Sequence, residues 1–525
     1  MKKLINLMII ALLSVLLIAC DTTSGGGNEP IDQTPDLRAL NPRNDIYYQV
    51  FIRSFADSDG DGVGDINGLT ANLDYIKDLG ATAIWMLPFN ETDTDWNSYH
   101  GYRIKDYYKV NPEYGTMEDL ENLIEEANKL DIKIVMDLVI NHTSDTHPWF
   151  MSAKEGVNSP YRDWYIWTAA NTAFESFAGG MKDLNLNNPD VVQEIKDIMA
   201  FWVDKGIHGF RFDAAKHLFL GDPGSQPAQA QAKNYTFLKN LKDYVKTINP
   251  DVFFVGEVFE YEYVAYNQYY IGLDSLFDFY AAAQIWGKIG GGNQIYQLVS
   301  NIEKSFNTYK PYDTNYVPSI FISNHDIDRI ASRNEFNGAN GLNKLKMAAQ
   351  FMLTLPGSPH IYYGDEIGMK GVAYGGENPN GQGAIWDQYR RAPFLWGASN
   401  QYQTDWLMPY NGSNQGATVA SSINDSNSLY TTYKTFANIR KDTPALMYGN
   451  YMKAWKDNSS FLQGFVRQYS TTGFSQTVLV IHNISDTARS VDVEYLDYIY
   501  GNSLTIPAWG TLVLEIDGSK VNNYI

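Results

Sequence analysis

Eight short apolar runs, each followed by polar or helix-period sequence, predict a (β/α)8 barrel, and a switch to period two near the C-terminus predicts an antiparallel β-sandwich after it. The runs are IYYQVFI (46–52), ATAIWML (81–87), IKIVMDLVI (132–140), GFRF (209–212), VFFVGEV (252–258), LDSLFDF (273–279), VPSIFIS (317–323) and PHIYYG (359–364). Between the second and third, Leu120, Leu123, Ile124 and Ala127 recur at the spacing of one helix face and predict a helix over 116–130. Thr116 and Asp119 stand where a capping box would start it. Val191, Ile195, Ile198, Met199 and Trp202 predict a second helix over 191–205, stopped by Gly206.

One connection departs from the pattern. Residues 141–190, after the third run, are polar and aromatic with little helical period, and a connection that long reads as an inserted domain. Past residue 446 the runs FLQGFVRQY (461–469), QTVLVIHNI (476–484), SVDVEY (490–495) and GTLVLEI (510–516) alternate with no helix between them. The expected barrel therefore covers 44–140 and 191–445, with the inserted domain at 141–190 and the β-sandwich at 446–525. No repeat of solenoid period is found.

The first 43 residues read differently. Lys2 and Lys3 precede an apolar run, Leu4 to Ala19, that is short for a membrane span and ends in LIAC. This resembles a bacterial lipoprotein signal. Residues 1–19 would be removed, and Cys20 would carry the lipid. Residues 20–43, rich in Gly, Pro and polar side chains, would form a flexible tether. The expected location is outside the cytoplasm, lipid-anchored to the cell membrane or cell surface. Cys20 is the single cysteine, so no intramolecular disulfide can form. The net charge of −20 repels nucleic acid and anionic substrates, whereas a neutral ligand or a cation suits it. A monomer is expected.

In barrels of this kind chemistry sits at the C-terminal ends of the strands. The third run ends in Asp137, Asn141 and His142; the fourth in Arg211, Asp213, Lys216 and His217; the fifth in Glu257; the seventh in Asn324, His325 and Asp326. Asp213, Glu257 and Asp326 thus converge on one rim. Burying several like charges is costly unless they have a use. Two carboxylates flanking a bond are what glycoside hydrolysis needs, one to attack and one to move the proton. Arg211, two residues before Asp213 on one strand face, would keep that carboxylate ionised. The apolar VFFVG before Glu257 would raise its pKa.

DLVINH (137–142), GFRFDAAKH (209–217), GEVF (256–259) and ISNHD (322–326) resemble, in order and on the expected strands, the four sequence regions of the α-amylase family, glycoside hydrolase family 13. The resemblance spans roughly residues 44–520. It implies Asp213 as nucleophile, Glu257 as acid/base and Asp326 as transition-state stabiliser, with retention of configuration. It places Arg211, His142 and His325 around the reacting sugar. From YHGY (99–102) it adds Tyr102 stacking under that sugar and His100 touching it. Lys216 and His217 would contact the leaving-group side.

DSDGDGVGD (57–65) offers side-chain oxygens at positions 1, 3, 5 and 9 and a backbone oxygen at 7, a set that suits calcium. An EF-hand would need a glutamate at position 12, but Gly68 stands there, and the loop follows a strand. A static site is therefore expected, of the kind many family members carry, with ligands Asp57, Asp59, Asp61, the Val63 carbonyl and Asp65. The resemblance also implies a second calcium, held by Asn141, Asp183 and the carbonyl of His217.

Specificity is left divided. DLVINHTSDTHPWF and SPYRDWYIW resemble the oligo-glucosidase side of the family; DAAKH and YHGY resemble the amylase side. Because the amylase features fall in the substrate cleft, an endo-acting α-amylase on starch and maltooligosaccharides is expected. An exo-acting α-glucosidase or oligo-1,6-glucosidase is the alternative, and transglycosylation is open to either. A non-catalytic glucan-binding lipoprotein would carry a damaged carboxylate triad, which this chain does not. A sugar-importer binding protein would show two doubly wound lobes instead of eight βα units.

Overall fold

In the computed structural model, residues 44–95, 98–222, 226–373, 387–397, 400–407 and 416–525 are described. The segments expected to be a signal (1–19) and a tether (20–43), with Cys20, lie outside them. Among the described residues no helix is long and apolar enough to cross a membrane.

All eight expected strands form: β1 (Tyr47–Val50), β2 (Ala83–Met86), β3 (Lys133–Leu138), β4 (Gly209–Phe212), β5 (Phe253–Gly256), β6 (Ser275–Phe277), β7 (Val317–Phe321) and β8 (Ser358–Tyr362). They pair in parallel in chain order, and β8 closes on β1. The register sets the chemistry. Arg211 on β4 lies opposite Asp137 on β3, so both side chains leave the wall on one side. Large rings fill the interior. Tyr47 stacks on its register partner His360 at 4.3 Å, and Trp85 packs on Phe277 at 5.1 Å. Much of the aromatic surplus is therefore core.

The helices follow their patterns. Thr116 Oγ1 accepts from the Asp119 amide at 3.2 Å, and Asp119 Oδ2 accepts from the Thr116 amide at 2.8 Å. This reciprocal cap starts helix Met117–Lys129, which buries the four residues of its apolar stripe. The next predicted helix begins two residues early, at Pro189, because Asn188 caps it and proline suits its first position. A hairpin of Asn90–Thr92 with Ile104–Val110 enlarges the loop after β2, a feature the sequence reading lacked.

The inserted segment holds a two-stranded antiparallel ladder of His142–Ser144 with Met181–Asp183, and a short hairpin of Trp167–Ala169 with Thr172–Ala173. The C-terminal part is an antiparallel sheet of β9 (Tyr451–Ala454), β10 (Leu462–Thr471), β11 (Phe474–Asn483), β12 (Asp497–Tyr500) and β13 (Thr511–Glu515), ordered β9-β10-β11-β13-β12. Ile506, from a separate two-stranded sheet, shares a core with Val466, Leu479 and Leu514. The strand expected at 490–495 is corrected. Only Arg489–Ser490 pairs, with Thr505–Ile506. Val491 and Val493 still pack on the core, so the alternation reports burial, but the extended ladder resumes only at Asp497.

Two buried arginines sit at this junction: Arg467 on β10, which ties the sheet to the barrel, and Arg440 on helix Leu429–Asp442, whose partners are all in the barrel. Arg467 donates to the carbonyls of Thr354, Leu446 and Gly449, and Arg440 to those of Leu353, Leu355 and Gly357. Each satisfies carbonyls at helix ends and in loops that would otherwise lack a partner in the interior. Burial lowers the Arg440 pKa to about 9.

Candidate active site

A cavity of about 440 Å³ opens at the C-terminal ends of the strands. Eight predicted residues line it: His100, Tyr102, His142, Asp213, Lys216, His217, Glu257 and Asp326. Arg211 and His325 lie beneath them, each about 1 % exposed.

Arg211 is the pivot. Its Nη1 donates to Asp137 Oδ1 and Oδ2 at 2.9 and 3.1 Å and to Asp213 Oδ1 at 2.7 Å; its Nη2 lies 3.6 Å from Glu257 Oε2. A guanidinium this deep is sustained by the carboxylates around it, and it holds Asp213 and Glu257 side by side. The backbone helps. Ala214, directly after Asp213, has φ +51°, an uncommon conformation for a residue with a Cβ. It turns its amide onto Glu257 Oε2 at 3.0 Å.

The two carboxylates facing the cavity from β5 and β7 differ in environment. Burial raises the Glu257 pKa to about 7; Arg211 opposes this, while Asp213 and Asp326 add to it. Burial also acts on Asp326, but the His325 N–H, Arg391 and Arg211 outweigh it and hold this carboxyl well below the usual range. Asp326 Oδ2 lies 3.0 Å from His325 Nε2, and Oδ1 accepts from Arg391 Nη2 at 3.0 Å. Burial lowers His325 and His142, and brings His100 to about 4. Tyr102 donates its hydroxyl to Asp137 Oδ2 at 3.1 Å, and its ring lies parallel to that of His325. On the far side Lys216 Nζ is tied to the Phe259 carbonyl and to Glu260, at 2.8 and 3.0 Å. Phe177 packs between His142 and His217.

Several members of this site escaped the sequence reading. Asp137 was visible at a strand end, but only the register shows that it buttresses Arg211. Arg391 and Asp387 form an ion pair on the cavity wall, reached from a loop with no strand-end marker. Phe177 and Met181 come from the inserted segment, and Gln49 from inside β1.

The acidic loop gathers only part of its expected ligand set. Carboxylate oxygens of Asp57, Asp59 and Asp61 lie within 4.8 Å of one another. Asp65 is not in that group. Its oxygens accept from the Ser58 amide and hydroxyl and from the Gly68 amide, so it caps helix Ile66–Ala71. The Val63 amide donates to Asp61, which keeps that residue in the turn. For the second expected site, Asn141 Oδ1 is buried without a hydrogen-bond partner, and burial raises Asp183 to about 6. Both features suit a nearby cation. The His217 carbonyl, however, accepts from the Leu220 amide within a turn, and Asp183 already takes two hydrogen bonds from Ser176.

A closed parallel barrel whose rim gathers three carboxylates around a buried arginine has the parts of a glycoside hydrolase. The family model described as "Alpha amylase, catalytic domain" matches residues 49–449. The chain is 39% identical over 502 residues to "Alpha-amylase 3" of Dictyoglomus thermophilum, covering 90% of this chain and 93% of that protein. It is 30% identical to the "Oligo-1,6-glucosidase" of Parageobacillus thermoglucosidasius, covering 84% of this chain and 90% of that one. The solved α-amylase of H. orenii superposes with a TM-score of 0.77 at 31% identity, over 90% of this chain and all of that one. The chain belongs to the α-amylase family, glycoside hydrolase family 13.

Proposed function

We propose that the protein is an endo-acting α-amylase, hydrolysing internal α-1,4 bonds of starch and maltooligosaccharides with retention of configuration. The observation that carries the chemistry is the division of labour around Arg211. One carboxylate, Asp213, is anchored on the cation at 2.7 Å; its neighbour Glu257 is pushed toward the protonated form at neutral pH. Held through Oδ1, Asp213 attacks the anomeric carbon with its other oxygen. The glycosidic bond breaks, and Glu257 gives its proton to the departing oxygen. Glu257, now a carboxylate, then takes a proton from water. That water attacks the same carbon from the side the leaving group vacated and frees Asp213. Asp326, ionised through its contacts with His325 and Arg391, offers negative charge to the oxocarbenium-like transition state. Tyr102, His100 and His142 form the floor and wall for a neutral sugar, and Lys216 and His217 face the leaving side.

The endo and α-1,4 assignments draw on the Lys216–His217 pair in the cleft and on the D. thermophilum relative. The similarity to an oligo-1,6-glucosidase supports exo action on α-1,6 bonds as the second reading. We further propose one structural Ca²⁺ in the Asp57–Asp59–Asp61 loop; Asn141 and Asp183 would hold a second. The protein would act as a monomer, anchored outside the cytoplasm through lipid on Cys20.

Product analysis separates the readings. The enzyme is given soluble starch, an end-blocked maltooligosaccharide and isomaltose. Cleavage of the blocked substrate, with little action on isomaltose, is expected. Action on isomaltose alone would replace the proposal with the glucosidase reading.

A further inference from the structure

We propose that Gln49, inside β1, is a positioning residue that fixes His325 in the tautomer with its proton on Nε2, so that this N–H is presented to Asp326. The inference rests on the reading of Asp326 as the carboxylate whose charge serves the reaction. The geometry makes the case from both ends of the ring.

At one end, Nε2 lies 3.0 Å from Asp326 Oδ2 and 2.6 Å from the Tyr102 hydroxyl oxygen. An ionised carboxylate only accepts, so Nε2 must carry a proton. The Tyr102 hydroxyl has committed its own hydrogen to Asp137, so its oxygen is free to accept as well. At the other end, a neutral ring protonated on Nε2 presents a bare lone pair on Nδ1, which is buried and requires a donor. The Gln49 amide nitrogen stands 2.8 Å from it. Gln49 is about 1 % exposed, and its backbone is locked in register with Trp85 and Tyr362 on either side. The ring plane is fixed too. Trp85 meets it edge-on at 5.7 Å, and Tyr102 lies parallel at 5.7 Å.

The groups that set the charge on His325 are Gln49 from β1, Tyr102 from the loop after β2, Arg211 from β4, Asp326 beside it and Arg391 from the loop after β8. Of these, Gln49 alone addresses Nδ1 with a neutral side chain that can donate. A glutamate at 49 would reverse the preference. It could only accept, so Nδ1 would take a proton, and the ring would become an imidazolium between two carboxylates. Asp326 would then face a full cation, and its negative charge would be spent on the ring instead of on the sugar. At metal sites, outer partners that set a histidine's tautomer are worth roughly 10- to 100-fold in affinity or activity, and that scale is taken over for His325.

The test is read without substrate. The full-length enzyme is labelled with ¹⁵N-histidine, and the ring shifts of His325 are assigned by their loss in His325→Gln. The expected wild-type spectrum is neutral with the proton on Nε2. Gln49→Glu should give an imidazolium or an Nδ1–H ring, with kcat down roughly 10- to 100-fold and KM little changed. Gln49→Met keeps the length but removes the donor; it should fold and show a mixture of tautomers. A wild-type ring that is charged or protonated on Nδ1 overturns the proposal, as does a Gln49→Met ring that stays purely Nε2–H with unchanged kcat. Because the spectrum needs no turnover, these results stand apart from any failure of the assigned reaction.

Discussion

At the residue scale the site is organised by Arg211. A single buried guanidinium touches Asp137, Asp213 and Glu257, so the strand-end carboxylates share one cation. Asp213→Asn should keep this fold, since an amide oxygen can still accept from Arg211, yet lose turnover by roughly 10⁴-fold, the scale of removing a covalent-catalysis residue. Near-normal hydrolysis in that variant would remove Asp213 from its role. The pH profile follows from Glu257. In the proposed reaction its proton is needed for bond cleavage; burial holds the group at about 7, so kcat/KM should fall as pH rises through that value. Below it Glu257 stays protonated and this loss is absent. A flat profile from pH 6 to 9 would contradict this assignment. The residues that escaped sequence reading share a reason. Asp213, Glu257 and Asp326 follow apolar runs and are found by position alone. Arg391 and Phe177 reach the cavity from irregular loops, and nothing in their local sequence marks the approach.

At the element scale the periodic pattern was a faithful guide where burial and hydrogen bonding coincide. The eight apolar runs are eight strands because each is covered on both faces, and the Thr116 cap begins its helix as its spacing predicts. The pattern misled at 490–495, where Val491 and Val493 are inward but the ladder is short. It was silent on β9, whose four residues are too few to show a period. The DSDGDGVGD loop shows the same limit. Its aspartates looked equivalent in sequence; in space three cluster, and Asp65 starts a helix. If the cluster holds calcium, chelation removes a ligand of the native state. With calcium at a hundred times its Kd that is about 2.7 kcal/mol. Tm should then drop by a few degrees with EDTA and recover with added Ca²⁺. An unchanged melt would leave the loop as a turn without a metal.

At the scale of the whole molecule, the barrel supplies a rigid rim, while the inserted segment and the loop after β8 add walls to it. The acidic surface suits a neutral polymer and disfavours anionic ones. The fold and its family were legible from four ordered motifs because those motifs sit where the barrel needs both packing and chemistry. Bond preference was less legible, because Phe177, Met181 and Asp387 line the cavity from outside the four motifs. The proposed reaction through Asp213 inverts the anomeric carbon twice. It is tested most directly by following the anomeric protons of fresh product by NMR before mutarotation. Reducing ends in the α configuration should appear first, and β ends should grow in later. Initial β product would mean that water attacks in a single step, with no covalent intermediate on Asp213.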